Sequence, residues 1–185
     1  MNSGKTDGRR TDTRERILAT ALELFVGQGY ELTTLAQVAD RLRITRPAVY
    51  HHFRSKEDVL TSSYQQVIPV LDEIIAGDRD GALDRTVQLF SGPYRLIVAC
   101  TFVNEQVLRG SPGAIAMLSR LNDLAVRLAP VPGVEGIMRG RLALSALTMA
   151  TARGVELGGT EQERLAAACA VVRTLVGGPG QWLQV

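Results

Sequence analysis

Two cysteines and two histidines are all that 185 residues supply of these types, and of 21 basic residues only Lys5 and Lys56 are lysines. So few cysteines exclude a disulfide framework. Cys100 and Cys169 lie far apart in apolar surroundings and read as reduced thiols of a cytoplasmic protein. No apolar run approaches the ~18 uncharged residues of a membrane span; that from Leu96 to Val103 is broken by Thr101. The opening "MNSGKTDGRRTDTRERI" has basic residues but no apolar core after them, so it is not read as a secretory signal. GxGxxG, the full P-loop GxxxxGK[ST] and HExxH are all missing, and no cofactor is expected. No strand pattern, internal repeat or low-complexity tract stands out. The shortage of lysine reads as a compositional bias rather than a functional signal.

What is there is ordinary for a globular protein: 45% hydrophobic and 22% charged residues, in a chain long enough to bury a sizeable core. The net charge of +2 hides an asymmetry. Residues 1–56 hold ten Lys/Arg against six Asp/Glu, whereas residues 57–185 hold eleven against thirteen. The basic surplus sits at the N-terminal end, as expected if that end meets a polyanion.

Helical periodicity runs through the chain. Asp12 with Glu15 predicts a first helix start, followed by Ile17, Leu18, Ala21, Leu22 and Phe25 at helical spacing. Residues 1–10 are expected to be a disordered basic tail. Thr34 with Gln37 predicts a short second helix, and Thr45 starts a third in which Pro47 falls in the first turn, where no N–H is missed. Ser55 with Asp58 opens a fourth, kinked at Pro69. Further helices are predicted over 82–90, 94–109, 114–128, 134–156 and 160–176. The expectation is an all-α protein of about nine helices. A helix-turn-helix domain spans 11–57 (motif about 34–53), a helical body 58–178 and a tail 179–185.

"ITRPAVYHHFRSKEDVL", Ile44 to Leu60, carries the chemistry. Adjacent residues project about 100° apart on a helix and no Cys, Asp or Glu stands at ligand spacing, so His51 and His52 are poor metal ligands. Without a nucleophile or carboxylate partner they are also poor catalysts, and no enzyme is expected. Two short helices joined by a tight turn can instead place the second in the major groove of DNA while the first braces it. With Val49 and Phe53 turned inward, Thr45, Arg46, Tyr50 and His51 are left on the outer side. Arg46 can pair with guanine or grip phosphate, and the Thr45 and Tyr50 hydroxyls can bond phosphates. Thr33, Thr34 and Lys56, at the starts of the second and fourth helices, are candidate phosphate contacts.

"TTLAQVADRLRITRPAVYHHFRSKEDVL", Thr33 to Leu60, resembles the helix-turn-helix signature of the TetR family of bacterial regulators, and "TRERILATALELFVGQGYELTT" before it resembles the same family. The ordered Tyr50, His52, Phe53, Ser55 and Lys56 are the most characteristic. Arg43 stands where the family places a turn glycine, which costs conformational freedom if φ is positive and offers a phosphate contact in return. Pro47 stands where a small residue is common and removes one N–H. The resemblance implies that His51 faces DNA while His52 packs at the edge of the small core.

The resemblance also implies a homodimer on a palindromic double-stranded DNA operator, paired through its last two helices, with Leu144, Leu147, Leu165, Val172 and Leu175 as interface candidates. It further implies an unknown small-molecule effector in the body. Tyr94, Ile97, Thr101 and Asn104 share one face at spacings of three and four, mixing polar groups into an apolar helix, and are taken as pocket lining. Tyr64, Phe90, Met117 and Leu121 are taken as its walls. A largely apolar, uncharged effector is expected. The reading is a ligand-responsive regulator, a repressor in the first instance; an activator or ligand-free regulator is the alternative, and an enzyme using the helical body is the alternative of another class.

Overall fold

The computed structural model describes residues 4–151 and 157–177. The described residues form ten helices and no strand. They are α1 (Gly4–Gly27), α2 (Leu35–Leu42), α3 (Arg46–His52), α4 (Lys56–Ala76), α5 (Arg79–Ser91), α6 (Arg95–Val103), α7 (Glu105–Leu108), α8 (Pro112–Leu128), α9 (Val134–Thr151) and α10 (Glu161–Val176). No described helix is long and apolar enough to cross a membrane. The tail expected over 179–185 and the end of the helix expected to reach Glu156 lie outside the described residues.

Three differences from the sequence reading have physical causes. First, α1 starts at Gly4 rather than Asp12, so residues 4–10, expected as disordered tail, are helical. No proline intervenes before Asp12, and a helix already nucleated extends at little cost. Second, the helix expected over 94–109 is two, split at Asn104 (φ −107°, ψ 15°), which gives ten helices rather than nine. Third, α5 begins at Arg79 because Asp78 caps it, its carboxylate accepting the Gly81 N–H at 2.6 Å.

The caps read at Thr34, Thr45 and Ser55 are present, whereas Asp12 lies inside α1. Thr34 and Gln37 form a reciprocal capping box, the Thr45 hydroxyl accepts the Ala48 N–H, and the Ser55 hydroxyl accepts the Asp58 N–H. The head packs Ile17, Ala21, Phe25, Leu35, Val38, Val49 and Phe53 into a small core. That core runs through Val59 and Leu60 of α4 into the body, where α4, α6, α8 and α9 bury Val67, Leu71, Val98, Met117, Leu124 and Leu144. One apolar mass therefore joins head and body along α4. Gly140 lets α9 lie against α8: a methyl group there would collide with the Ala125 carbonyl.

Candidate nucleic-acid interface and regulatory body

The α2–α3 turn closes in left-handed geometry at Arg43 (φ 55°, ψ 42°), the only non-glycine residue with positive φ among those described. The Arg43 N–H donates to the Asp40 carbonyl at 3.2 Å and the Ile44 N–H to the Ala39 carbonyl at 3.0 Å, which satisfies the end of α2. α3 then buries Val49 and presents Arg46, Pro47, Tyr50 and His51 to solvent on one continuous face. Thr45 is exposed at its N-cap, with Thr34 and Arg43 exposed beside it. A short helix with its apolar side buried and cationic, hydroxyl and imidazole groups outward is built to lie along a polyanion. The His51 and His52 rings meet edge to face, 5.4 Å between centroids, with His52 the less exposed of the two.

Two predicted contacts lie elsewhere. Thr33 is fully buried: its hydroxyl donates to the Gly29 carbonyl at 2.8 Å and accepts from Gln28 Nε2 at 3.2 Å. It shapes the turn before α2 and does not face outward. Lys56 Nζ donates to the Tyr30 carbonyl at 2.6 Å and the Glu31 carbonyl at 3.2 Å, and lies 4.4 Å above the Tyr30 ring. Desolvation lowers its pKa. The start of α4 thus uses its lysine to hold the α1–α2 turn. The sequence reading missed Arg14, which stacks on Phe53 (4.8 Å to the ring centroid) and donates to Ser62 Oγ at 2.8 Å, tying α1 to α3 and α4. Its partners are remote in sequence, so no local pattern marks it.

In the body, most of the expected pocket is core. Tyr64, Phe90, Ile97, Thr101, Asn104, Met117 and Leu121 are buried. The Thr101 hydroxyl donates to the Ile97 carbonyl at 2.9 Å and lies 3.4 Å from the Tyr64 hydroxyl. Asn104 Nδ2 donates to the Phe25 and Cys100 carbonyls, 3.0 Å each, and its Oδ1 accepts the Tyr30 N–H at 2.8 Å. The two polar groups on that face satisfy the protein itself rather than waiting for a ligand. Tyr94 instead borders a groove of about 260 Å³ between α4 and α5, with Glu73, Arg85 and Gln88. Leu121 floors another of about 290 Å³ with Phe102, Leu118 and Leu144, under Glu105, Asn122, Arg141 and Ser145. Arg141 donates to Asn122 Oδ1 across it at 2.6 Å.

The expected interface residues divide similarly. Leu144, Leu147 and Val172 are buried in the protomer's own core, while Leu165 and Leu175 are partly buried against it. The exposed apolar residues of the last two helices are Val134, Met138, Leu142 and Met149 on α9 and Val171 on α10, with Ala166, Ala167 and Ala170 beside the last. Between the helices runs an apolar groove of about 640 Å³ bordered by Ala146, Met149, Leu157, Ala167 and Val171.

The sequence profile of the bacterial regulatory proteins of the tetR family matches residues 17–62, which run from the second half of α1 through α2 and α3 to the start of α4. The HTH-type transcriptional regulator TcmR of Streptomyces glaucescens is 32% identical over 149 residues, covering 78% of this chain and 62% of that protein. The N-terminal head is that of the TetR family. The probable acrEF/envCD operon repressor of Escherichia coli K12 is 34% identical over 151 residues, again covering 78% of this chain and 62% of the relative. The chain therefore spans less than two thirds of the length of these relatives, both of them named as regulators rather than enzymes. The TetR-family regulator PfmR of Thermus thermophilus shares the fold, with TM-score 0.60 at 23% identity over 89% of this chain and 98% of that one. NalD, the secondary repressor of the MexAB-OprM efflux pump in Pseudomonas aeruginosa, does so with TM-score 0.52 at 22% identity over 89% and 94%. Among the described residues, no group of three His, Cys, Asp or Glu could hold a metal ion.

Proposed function

We propose that this chain is a transcriptional repressor that binds a palindromic operator as a homodimer and releases it when a small molecule occupies the body. The observation that carries the reading is the α3 face: Arg46, Pro47, Tyr50 and His51 exposed together, with Val49 and Phe53 anchoring the opposite side. A single head covers only a few base pairs, so specific binding calls for two. The exposed Met138, Leu142, Met149 and Val171 supply a surface for the second copy, and the alanines of α10 allow close approach.

The effector site in this reading is the groove over Leu121, which meets α6, α8 and α9 at once. Its floor is apolar and its rim carries Glu105, Asn122, Arg141 and Ser145, so it suits a small molecule with an apolar body and a polar group that both donates and accepts. To release DNA, that molecule must bind the non-DNA form better by a few kcal/mol.

The test is selection of duplexes from a random pool with the full chain. A two-fold symmetric sequence bound by two chains is the expected outcome. Arg46→Ala should then relax the base preference and leave a folded dimer. Selection of no sequence, or wild-type selectivity in Arg46→Ala, would refute the reading.

A further inference from the structure

α4 is the only covalent link between the head and the rest of the body, and the apolar packing along it and between α1 and α6 is non-directional, which leaves the angle of the head about the α4 axis to polar contacts. Two lateral ties fix that angle. The first is Asn104, at the break between α6 and α7 and 5% exposed. Its carboxamide joins α6 to the last turn of α1 at Phe25 and to the α1–α2 turn at Tyr30. Both ends of the amide are engaged, and its partners lie 79 and 74 residues away in the chain. The second tie is Glu57 in the first turn of α4. Its carboxylate accepts the Ser111 hydroxyl at 2.5 Å from the start of α8, and the Tyr30 hydroxyl at 3.4 Å. Tyr30 is common to both. Its ring packs edge to face on Phe25, 5.0 Å between centroids, and its carbonyl holds Lys56. The turn leading into the DNA-facing helices is therefore bolted to α6 and α8 by polar contacts of fixed direction.

We infer that Asn104, supported by the Glu57–Ser111 contact, is the positioning residue that fixes the angle of each head on its body and so decides which spacing of DNA half-sites the dimer accepts. The inference rests on the proposed dimeric, DNA-binding function. Half-sites on one face of B-DNA stand a helical turn apart, so a dimer with rigid heads accepts one spacing and rejects its neighbours. If the head swivels, several spacings become acceptable while each α3 still reads the same bases. Spacing selectivity thus depends on the joint, and base selectivity does not. Phe102 and Glu105, on either side of Asn104, border the groove over Leu121, so filling that groove bears on the same joint.

The test uses duplexes carrying the half-sites selected by the wild-type chain, with the spacing lengthened or shortened by about one to two base pairs. Dissociation constants are measured for the full-length wild type, Asn104→Ala and Ser111→Ala, with circular dichroism and mass by light scattering for each. Wild type should strongly prefer one spacing. Asn104→Ala should keep its base preference and lose spacing preference by about fivefold or more, as expected for loss of a coupling between two rigid parts. Ser111→Ala, a change outside the core, should lose it in the same direction by less. A folded, dimeric Asn104→Ala with wild-type spacing preference would overturn the inference and leave the proposed function standing. Should Asn104→Ala fail to fold, Ser111→Ala decides: unchanged spacing preference there would overturn it as well. A wild-type chain that selects no paired half-sites would overturn the proposed function, and this inference with it.

Discussion

Arg43 shows how one residue can trade stability for contact. An L-residue in left-handed geometry is disfavoured by roughly 1 kcal/mol or more relative to glycine, yet this turn has an exposed arginine next to the α3 face. Arg43→Gly should therefore raise the melting temperature while weakening operator binding, with the slope of log affinity against log salt falling by about one. A variant that gains stability and keeps its salt slope would show that Arg43 touches no phosphate. The cysteines give a second test at this scale. Burial pushes the Cys100 thiol up to about 12, so it has almost no thiolate at neutral pH, whereas Cys169 is partly exposed on α10. A thiol reagent should titrate one group per native chain and two after denaturation; rapid labelling of Cys100 in the native protein would contradict the packing around α6.

At the level of elements, what was legible in the sequence was local. Thr34 with Gln37, Thr45 and Ser55 were readable as helix starts because each cap closes within three residues, and the outward face of α3 followed from the inward spacing of Val49 and Phe53. The contacts of Thr33, Lys56, Thr101 and Asn104 are not legible there, because they depend on partners that only the fold, or a turn conformation, brings close. Asn104 was read as pocket lining for the sound reason that a buried amide needs partners; those partners proved to be Phe25 and Tyr30 rather than a ligand. On α3, Tyr50→Phe should weaken binding about equally across operator variants, by roughly 1 kcal/mol for a lost phosphate bond, while Arg46→Ala changes which bases are preferred; shift assays against a panel of single-base operator variants separate the two. At the start of α10, the Thr160 N–H and then its hydroxyl hold the Glu163 carboxylate below its ordinary pKa of 4.5. A depressed carboxylate contributes stability above that value and loses it as pH falls through the lower, folded value. Acid should thus fray α10 from this end, and Glu163→Gln, which retains a box-forming side chain, should remove that part of the pH dependence in hydrogen exchange of the first α10 turn. An identical acid profile in the variant would locate the sensitivity elsewhere.

For the whole molecule, the question is which apolar residues the protomer uses itself and which remain for a partner. Periodicity alone could not divide them, because α9 and α10 are apolar on more than one side and a stripe facing inward looks the same in sequence as one facing a second copy. The fold divides them: Leu147 is 0% exposed, whereas Met149 is 45% and Val171 48% exposed. Substituting glutamate at Leu147 should unfold the chain, since it would place an unpaired charge in the core. The same change at Met149 and Val171 together should leave the protomer folded, because both side chains already reach solvent, and should put two charges per chain into a dry contact if the copies pair there. The expected result for Met149→Glu with Val171→Glu is an unchanged helical circular dichroism spectrum, a light-scattering mass of one chain, and operator affinity reduced by more than about tenfold, a loss of over 1.4 kcal/mol from the missing second half-site. Operator binding should fall with the mass and recover at protein concentrations high enough to force pairing. A double variant that stays dimeric with wild-type affinity would move the interface off the α9–α10 face. One that is monomeric yet binds the full operator undiminished would show that each head suffices alone, and the two-fold reading of DNA would fail with it.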